Sequence, residues 1–201
     1  VRRSAVAIVG DIHGEADVLE RLLERIEGAA QRIVFVGDYV DRGSGSARVV
    51  ASLLELARRR ECTFLAGNHD LAFRRVLDGG GLGPHLRLGG AATLSSYLGG
   101  AIEADVATQL RRTVPTEHYA FFRSLAERYE IGGELLVTHA PQRVRSHGFQ
   151  VAGHVPQATR EPSVTASGAL IDTGCGTWRD GRLTCLLWPS RTWIQELALA
   201  G

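Results

Sequence analysis

Two hundred and one residues, 44% hydrophobic and 22% charged, match an ordinary globular chain, expected to form one domain over 1–201 and excluding disorder as its main state. Twenty-three Lys and Arg against 22 Asp and Glu leave a formal charge of +1, so no broad basic footprint exists and no specific nucleic-acid binding is expected. No apolar run approaches the roughly 18 residues of a membrane span, and Cys62, Cys175 and Cys185 fit no zinc-ribbon spacing; a reduced, cytoplasmic protein without a membrane partner is expected.

In chain order, Ala5 to Val9 is a short apolar run ending at Gly10-Asp11, as a buried parallel strand should. Val18, Leu19, Leu22, Leu23 and Ile26 recur at helical spacing, with Gly28 as a stop. Ile33 to Val36 is a second strand, again ending in Gly-Asp. Val49, Val50, Leu53, Leu54 and Ala57 share one face of a second helix, and Arg58, Arg59 and Arg60 complement its dipole. Thr63 to Ala66 is a third strand, closed by Gly67-Asn68. Strand, helix, strand, helix, strand predicts a parallel α/β layer.

Asp78 to Gly100 is rich in Gly, with a short helix expected over Ala91 to Leu98. Val114-Pro115 breaks the chain before Phe121, Phe122, Leu125 and Ala126 at helical spacing. Strands follow at Leu135 to Val137, Val151-Ala152, Ala169 to Ile171, Leu183 to Leu187 and Trp193 to Leu197, with a hairpin turn expected at Asp180-Gly181 joining the segment near Trp178 to Leu183. The fold class expected is α/β, with two sheets packed face to face.

Three successive strands end in Asp11-Ile12-His13-Gly14, in Gly37-Asp38-Tyr39-Val40-Asp41-Arg42-Gly43 and in Gly67-Asn68-His69-Asp70. The carboxyl ends of neighbouring parallel strands open into one crevice, so these acids and imidazoles are delivered to one place. Such a concentration of carboxylates repels itself without a cation. Carboxylate, imidazole and amide oxygen together suit a divalent ion such as Mn, Fe or Zn. His139 and His154 arrive after later strands, and Asn68 is the only Asn in the chain.

In that order the motifs resemble the metallophosphoesterase superfamily, and Asp38-x-x-Asp41-Arg42-Gly43 resembles its phosphoprotein phosphatase branch. That branch includes bacterial serine/threonine phosphatases and symmetrical dinucleoside tetraphosphatases. Thr93 to Tyr97, Pro115 to Phe122, and Ile171 to Gly176 before Gly181 to Thr184 add to the likeness, which spans almost the whole chain. The resemblance implies a calcineurin-like fold, a two-sheet sandwich flanked by helices. It implies two divalent ions per chain, Mn foremost and Fe or Zn as alternatives. Asp11 and His13 would hold the first ion, Asp38 would bridge, and Asn68, His139 and His154 would complete the second. A metal-bridging hydroxide would attack phosphorus in line. Arg42 would grip phosphoryl oxygens with its planar fork. Asn68 would also lie against substrate. His69 would protonate the leaving oxygen, supported by Asp41.

The implied function is hydrolysis of phosphomonoesters, including phosphoserine or phosphothreonine in proteins. The alternatives are cleavage of dinucleoside polyphosphates or related nucleotide anhydrides and, without catalysis, a scaffold that binds phosphorylated partners. One departure stands out: the branch's bacterial members carry a longer insertion with a second phosphate-binding Arg between the late histidines. Arg143 or Arg145 would have to substitute here, with Arg143 favoured. His85, His118 and His147 are expected to be surface or packing residues, and Cys175 a packing residue with no base beside it. Trp178, Trp188 and Trp193 are expected to cover the second sheet, and Gly79-Gly80-Gly81, lacking the Lys-Ser/Thr of a P-loop, to form a flexible rim.

Overall fold

The computed structural model describes residues 5–142 and 148–198. Three parallel strands open it: β1 (Val6–Val9), β2 (Arg32–Phe35) and β3 (Glu61–Phe64), in adjacent positions. Helices α1 (Ala16–Arg25) and α2 (Ser46–Arg59) make the two crossovers. A middle block of five helices follows: α3 (Asn68–Leu77), α4 (Gly83–Arg87), α5 (Ala91–Leu98), α6 (Val106–Thr113) and α7 (Thr116–Ser124). The second sheet comprises β4 (Arg128–Ile131), β5 (Leu135–Thr138), β6 (Phe149–Ala152), β7 (Ser163–Val164) and β8 (Gly168–Leu170), in the order β4-β5-β6-β8-β7. The chain then returns to the first sheet through β9 (Arg182–Trp188) and β10 (Thr192–Leu197), giving β10-β9-β1-β2-β3.

The period-2 alternation of the central strands decides the layering. Val6 and Ile8 of β1, with Val34 and Val36, face the second sheet and meet Leu135, Val137, Phe149, Val151 and Ala169. Ala7, Val9, Ile33 and Phe35 face the other way, onto Leu19, Leu22, Val49, Leu53, Phe73 and Phe122 of the helices. Both faces of β1 and β2 are therefore apolar, as the unbroken hydrophobic runs imply. Leu22 is fully buried on the inner face of α1. Leu22→Ala is expected to lower unfolding free energy by about 2–5 kcal/mol, read from urea denaturation, because truncation leaves a cavity in close-packed surroundings.

Several local expectations change. Leu125 and Ala126 do not extend α7: Leu125 is extended, and Ala126 bridges to Leu65 at the margin of the first sheet. Strand β4 carries alternating Arg128, Tyr129, Glu130 and Ile131 on a sheet edge, so its apolar signal is half strength. The turn at Gly181 exists, with its N–H donating to the Trp178 carbonyl (2.9 Å), but the residue opposite Arg182 is Thr173, not the segment near Trp178. Gly79 and Gly80, in the segment expected to form a flexible rim, also finish a helix. Their N–H groups return to the Val76 (3.1 Å) and Arg75 (2.8 Å) carbonyls and close α3. Of the three tryptophans only Trp188 packs between the sheets, stacked on Phe149 at 5.3 Å. Trp193 is 42% exposed on β10.

Candidate active site

The carboxyl ends of β1 and β2 deliver Asp11 and Asp38, and the turn after β3 runs straight into α3, placing Asn68 and His69 on its first helical turn. A helix start has backbone N–H groups without helical partners. The His69 N–H donates to Asp38 Oδ1 at 3.0 Å, and Asp70 spends its carboxylate on the same junction. Asp70 Oδ2 accepts from the Gly67 (2.9 Å) and Asp38 (2.7 Å) N–H groups, and Oδ1 from the Tyr39 N–H (2.9 Å). Asp70 thus clamps the ends of β2 and β3 together. Room is made by glycine: a Cβ at Gly67 would collide with the Asp38 carboxylate, and one at Gly153 with that of Asp11.

Left-handed backbone concentrates here. Among the described residues, His13 (φ 48°), Asp38 (56°), Asp41 (73°), Arg42 (67°) and His154 (66°) are five of seven non-glycine positions with positive φ. Each such residue stores strain of about 1–3 kcal/mol, which packing around a functional site sustains.

Asp38 Oδ2 is the meeting point. His13 Nε2 lies 3.7 Å from it, His139 Nε2 3.5 Å and His69 Nε2 3.9 Å. Among the described residues two trios of potential ligand atoms result, His13–Asp38–His69 and Asp38–His139–His154, with Asp38 in both. Asn68 Oδ1 joins the second, 3.0 Å from His139 Nε2 and 3.0 Å from His154 Nδ1, which are themselves 3.2 Å apart. Ring tautomers are fixed from behind. His13 Nδ1 donates to the Val40 carbonyl (3.2 Å) and His139 Nδ1 to that of Val36 (3.1 Å), so each Nε2 lone pair points into the site. Asp11 lies outside both trios, its carboxylate receiving the His154 N–H at 3.1 and 3.2 Å.

The electrostatics agree with this donor set. Burial raises the pKa of Asp11 well above the usual carboxylate range, helped by Asp172; burial does the same to Asp38, helped by Asp11 and Asp70. Burial and the Arg42 charge push His13 down, and burial with neighbouring His154 brings His139 to about 4. Buried anions that repel one another, beside imidazoles held neutral, suit bound cations of the Mn, Fe or Zn type. The residues present fit a pair of divalent ions.

Beside this cluster, Asp41 Oδ2 accepts from His69 Nδ1 at 2.8 Å. Burial works to raise the Asp41 pKa, but hydrogen bonds from His69, His85 and Thr93 outweigh it and hold it at about 2. Arg42 is exposed at the mouth, its guanidinium donating to Thr177 Oγ1. Arg143, Arg145 and His147 lie outside the described residues.

Three further outcomes concern residues given other roles by sequence. His85 is completely buried, packed against Phe73 and bonded to Asp41 at 2.8 Å, so of its two expected roles the surface one is excluded; the Gly-rich composition of its segment hid a side chain turned inward. His118 is a packing residue, hydrogen-bonded to the Tyr97 hydroxyl at 3.0 Å. Burial drives the Cys175 thiol well above its ordinary pKa, which removes it as a nucleophile. Asp172, 2% exposed and electrostatically coupled to Asp11, escapes a reading of sequence motifs alone; its place in Ile171-Asp172-Thr173-Gly174 directly after β8 is the available signal.

Residues 4–161 match the family model described as calcineurin-like phosphoesterase. The chain is similar to the asymmetrical bis(5'-nucleosyl)-tetraphosphatase PrpE of Oceanobacillus iheyensis, 33% identical over 37% of this chain and 34% of that protein. It is similar also to a protein phosphatase 2A catalytic subunit of Dictyostelium discoideum, 42% identical over 34% of this chain and 23% of that one. The matches thus span about a third or less of these curated relatives. Among solved structures, one assigned as a diadenosine tetraphosphatase superposes with a TM-score of 0.70 at 22% identity, covering 98% of this chain and 95% of that one.

Proposed function

The chain belongs to the calcineurin-like phosphoesterase family, which uses a dinuclear divalent metal centre, and from that membership we propose that it is a metal-dependent phosphatase acting on phosphomonoesters, phosphoserine and phosphothreonine in proteins among them. The observation that carries the reading is the convergence of His13, His69, and His139 on Asp38 Oδ2, with Asn68 and His154 adjoining. Asp11, His13 and Asp38 would hold one ion, and Asp38, Asn68, His139 and His154 the other, Mn being the first candidate. When bound, the pair supplies positive charge to the phosphoryl group and an acidified water at neutral pH.

The chain's own residues do the rest. Arg42, at the exposed mouth, presents a planar fork to two phosphoryl oxygens. Asn68, half-buried on the first turn of α3, faces the same space. His69 Nε2 points toward Asp38 while Nδ1 donates to Asp41, an arrangement in which Nε2 would hand a proton to the leaving oxygen. An acid so placed has no use in a scaffold that only binds phosphate. Arg143 remains our candidate for a second phosphate contact.

The PrpE relative favours a second reading, hydrolysis of a dinucleoside polyphosphate. A base would need an aromatic platform near Arg42, and Trp178 adjoins the Thr177 contact. One face is taken, the Arg160 guanidinium lying 3.9 Å over it, and the ring sits so close to Gly174 that a Cβ there would collide with it. With that platform narrowed, and stacking worth roughly 1–3 kcal/mol per base, discrimination for dinucleotides should be small. A chromogenic phosphomonoester should be turned over with Mn and not after EDTA treatment; inactivity with each of Mn, Fe and Zn supplied would defeat the enzyme reading. A higher kcat/KM is expected for a phosphopeptide than for diadenosine tetraphosphate. A tenfold preference for the dinucleotide, about 1.4 kcal/mol of transition-state binding, would reverse that order.

A further inference from the structure

The carboxylate of Asp41 has two imidazoles on it. His69 Nδ1 reaches Oδ2 at 2.8 Å, and His85 Nε2 reaches Oδ1 at 2.8 Å from the opposite side. Thr93 Oγ1 donates to the same Oδ1 at 2.6 Å while accepting the Asp41 N–H at 2.8 Å. His85 belongs to α4 and is fully buried between Phe73 (ring centroids 5.2 Å apart) and Gly90, where a Cβ would stand 2.5 Å from its ring. Its Nδ1 is the one buried side-chain nitrogen or oxygen without a hydrogen-bond partner among the described residues. Burying a ring nitrogen without a protein partner costs free energy that phenylalanine would avoid. The Nε2–Asp41 bond is what histidine supplies in return.

We propose that His85 is a positioning residue for His69, acting through Asp41, a role that rests on the phosphatase reading and adds to it a second histidine behind the acid. Without the His85 donor at Oδ1, the carboxylate is less restrained about its Cβ–Cγ bond, and His69 loses part of the anchor that aims Nε2 at the leaving oxygen. Thr93 remains a donor to Oδ1, but its single proton is also within reach of the Ser46 hydroxyl, 3.1 Å away.

The test uses His85→Phe, which keeps the ring volume and drops the donor, and His85→Gln, whose amide N–H can take the place of Nε2–H. With Mn-loaded enzyme, His85→Phe should lower kcat for a poor-leaving-group ester roughly 10- to 100-fold, the usual penalty for a misplaced group. KM and metal content should hold, esters of good leaving groups should lose much less, and His85→Gln should recover most of the loss. Equal losses across the leaving-group series, or a folded His85→Gln as impaired as His85→Phe, would overturn the proposal. A second readout needs no turnover. The His69 Nδ1 proton, bonded to carboxylate, should resonate downfield of the amides and vanish in His69→Gln. It should shift or broaden in His85→Phe and persist in His85→Gln; an unmoved resonance in His85→Phe also refutes positioning. Should His85→Phe not fold, Gly90→Ala, which drives a methyl into the ring, is expected to move the same proton, and an unmoved one again refutes. If the parent chain hydrolyses no ester, the functional reading falls while the proton still decides the positioning.

Discussion

Asp38→Asn is expected to leave the chain with little metal at either site, and with it little activity. The reason is geometric first: Asp38 is the residue shared by both trios of ligand groups, its Oδ2 within 3.9 Å of His13, His69 and His139. It is electrostatic second, because the substitution removes a charge where two cations would meet. Folding should survive, since Asn retains an oxygen for the His69 N–H that now donates to Oδ1. Metal analysis of purified protein reads the stoichiometry, and thermal melts read the coupling. An ion at a hundred times its Kd stabilises the folded chain by about 2.7 kcal/mol, or about 5–10 °C for a chain of this size. The parent should show that rise on adding Mn and lose it with EDTA; Asp38→Asn should show almost none. Asn68→Ala should weaken chiefly the second ion, as Asn68 Oδ1 lies 3.0 Å from both His139 Nε2 and His154 Nδ1. Two ions retained tightly in Asp38→Asn would dismiss the bridging assignment.

Legibility in the sequence followed the physics of each segment. Strands β1 and β2 are apolar on both faces, so their runs stood out, and the Gly-Asp junctions after them marked where the sheet opens. The six ligand candidates were readable because each follows a strand. What escaped depended on tertiary contacts that no local pattern carries. Strand β4 sits on an edge with charged residues alternating outward, and α6 buries only Leu110. His85 reads as a loop residue because six glycines lie within six residues of it, Gly79, Gly80, Gly81, Gly83, Gly89 and Gly90, yet α4 folds inward behind Asp41. Asp70 was visible in its motif, but its service to three backbone N–H groups across two strands could only be read from coordinates.

His69→Ala is expected to reduce turnover of esters with poor leaving groups by roughly 10²–10⁴, the usual contribution of a positioned acid. The structure sharpens what this variant must show, because His69 has two possible employments. Its Nε2 belongs to a trio with His13 and Asp38, which would suit a metal ligand. Its Nδ1 is committed to Asp41, which would suit a proton donor held by a carboxylate. A ligand and an acid use the same Nε2 differently: a ligand must offer a lone pair, an acid must carry the proton. Removing a ligand lowers metal content and slows every ester alike. Removing an acid leaves both ions in place and slows an ester in proportion to its need for protonation, so a dinitrophenyl ester should suffer least and an alkyl ester most. Metal analysis and a leaving-group series on the same preparation therefore separate the two. We expect full occupancy with a steepened dependence of rate on leaving-group pKa; loss of one ion, with equal slowing across the series, would move His69 from the acid to the metal shell.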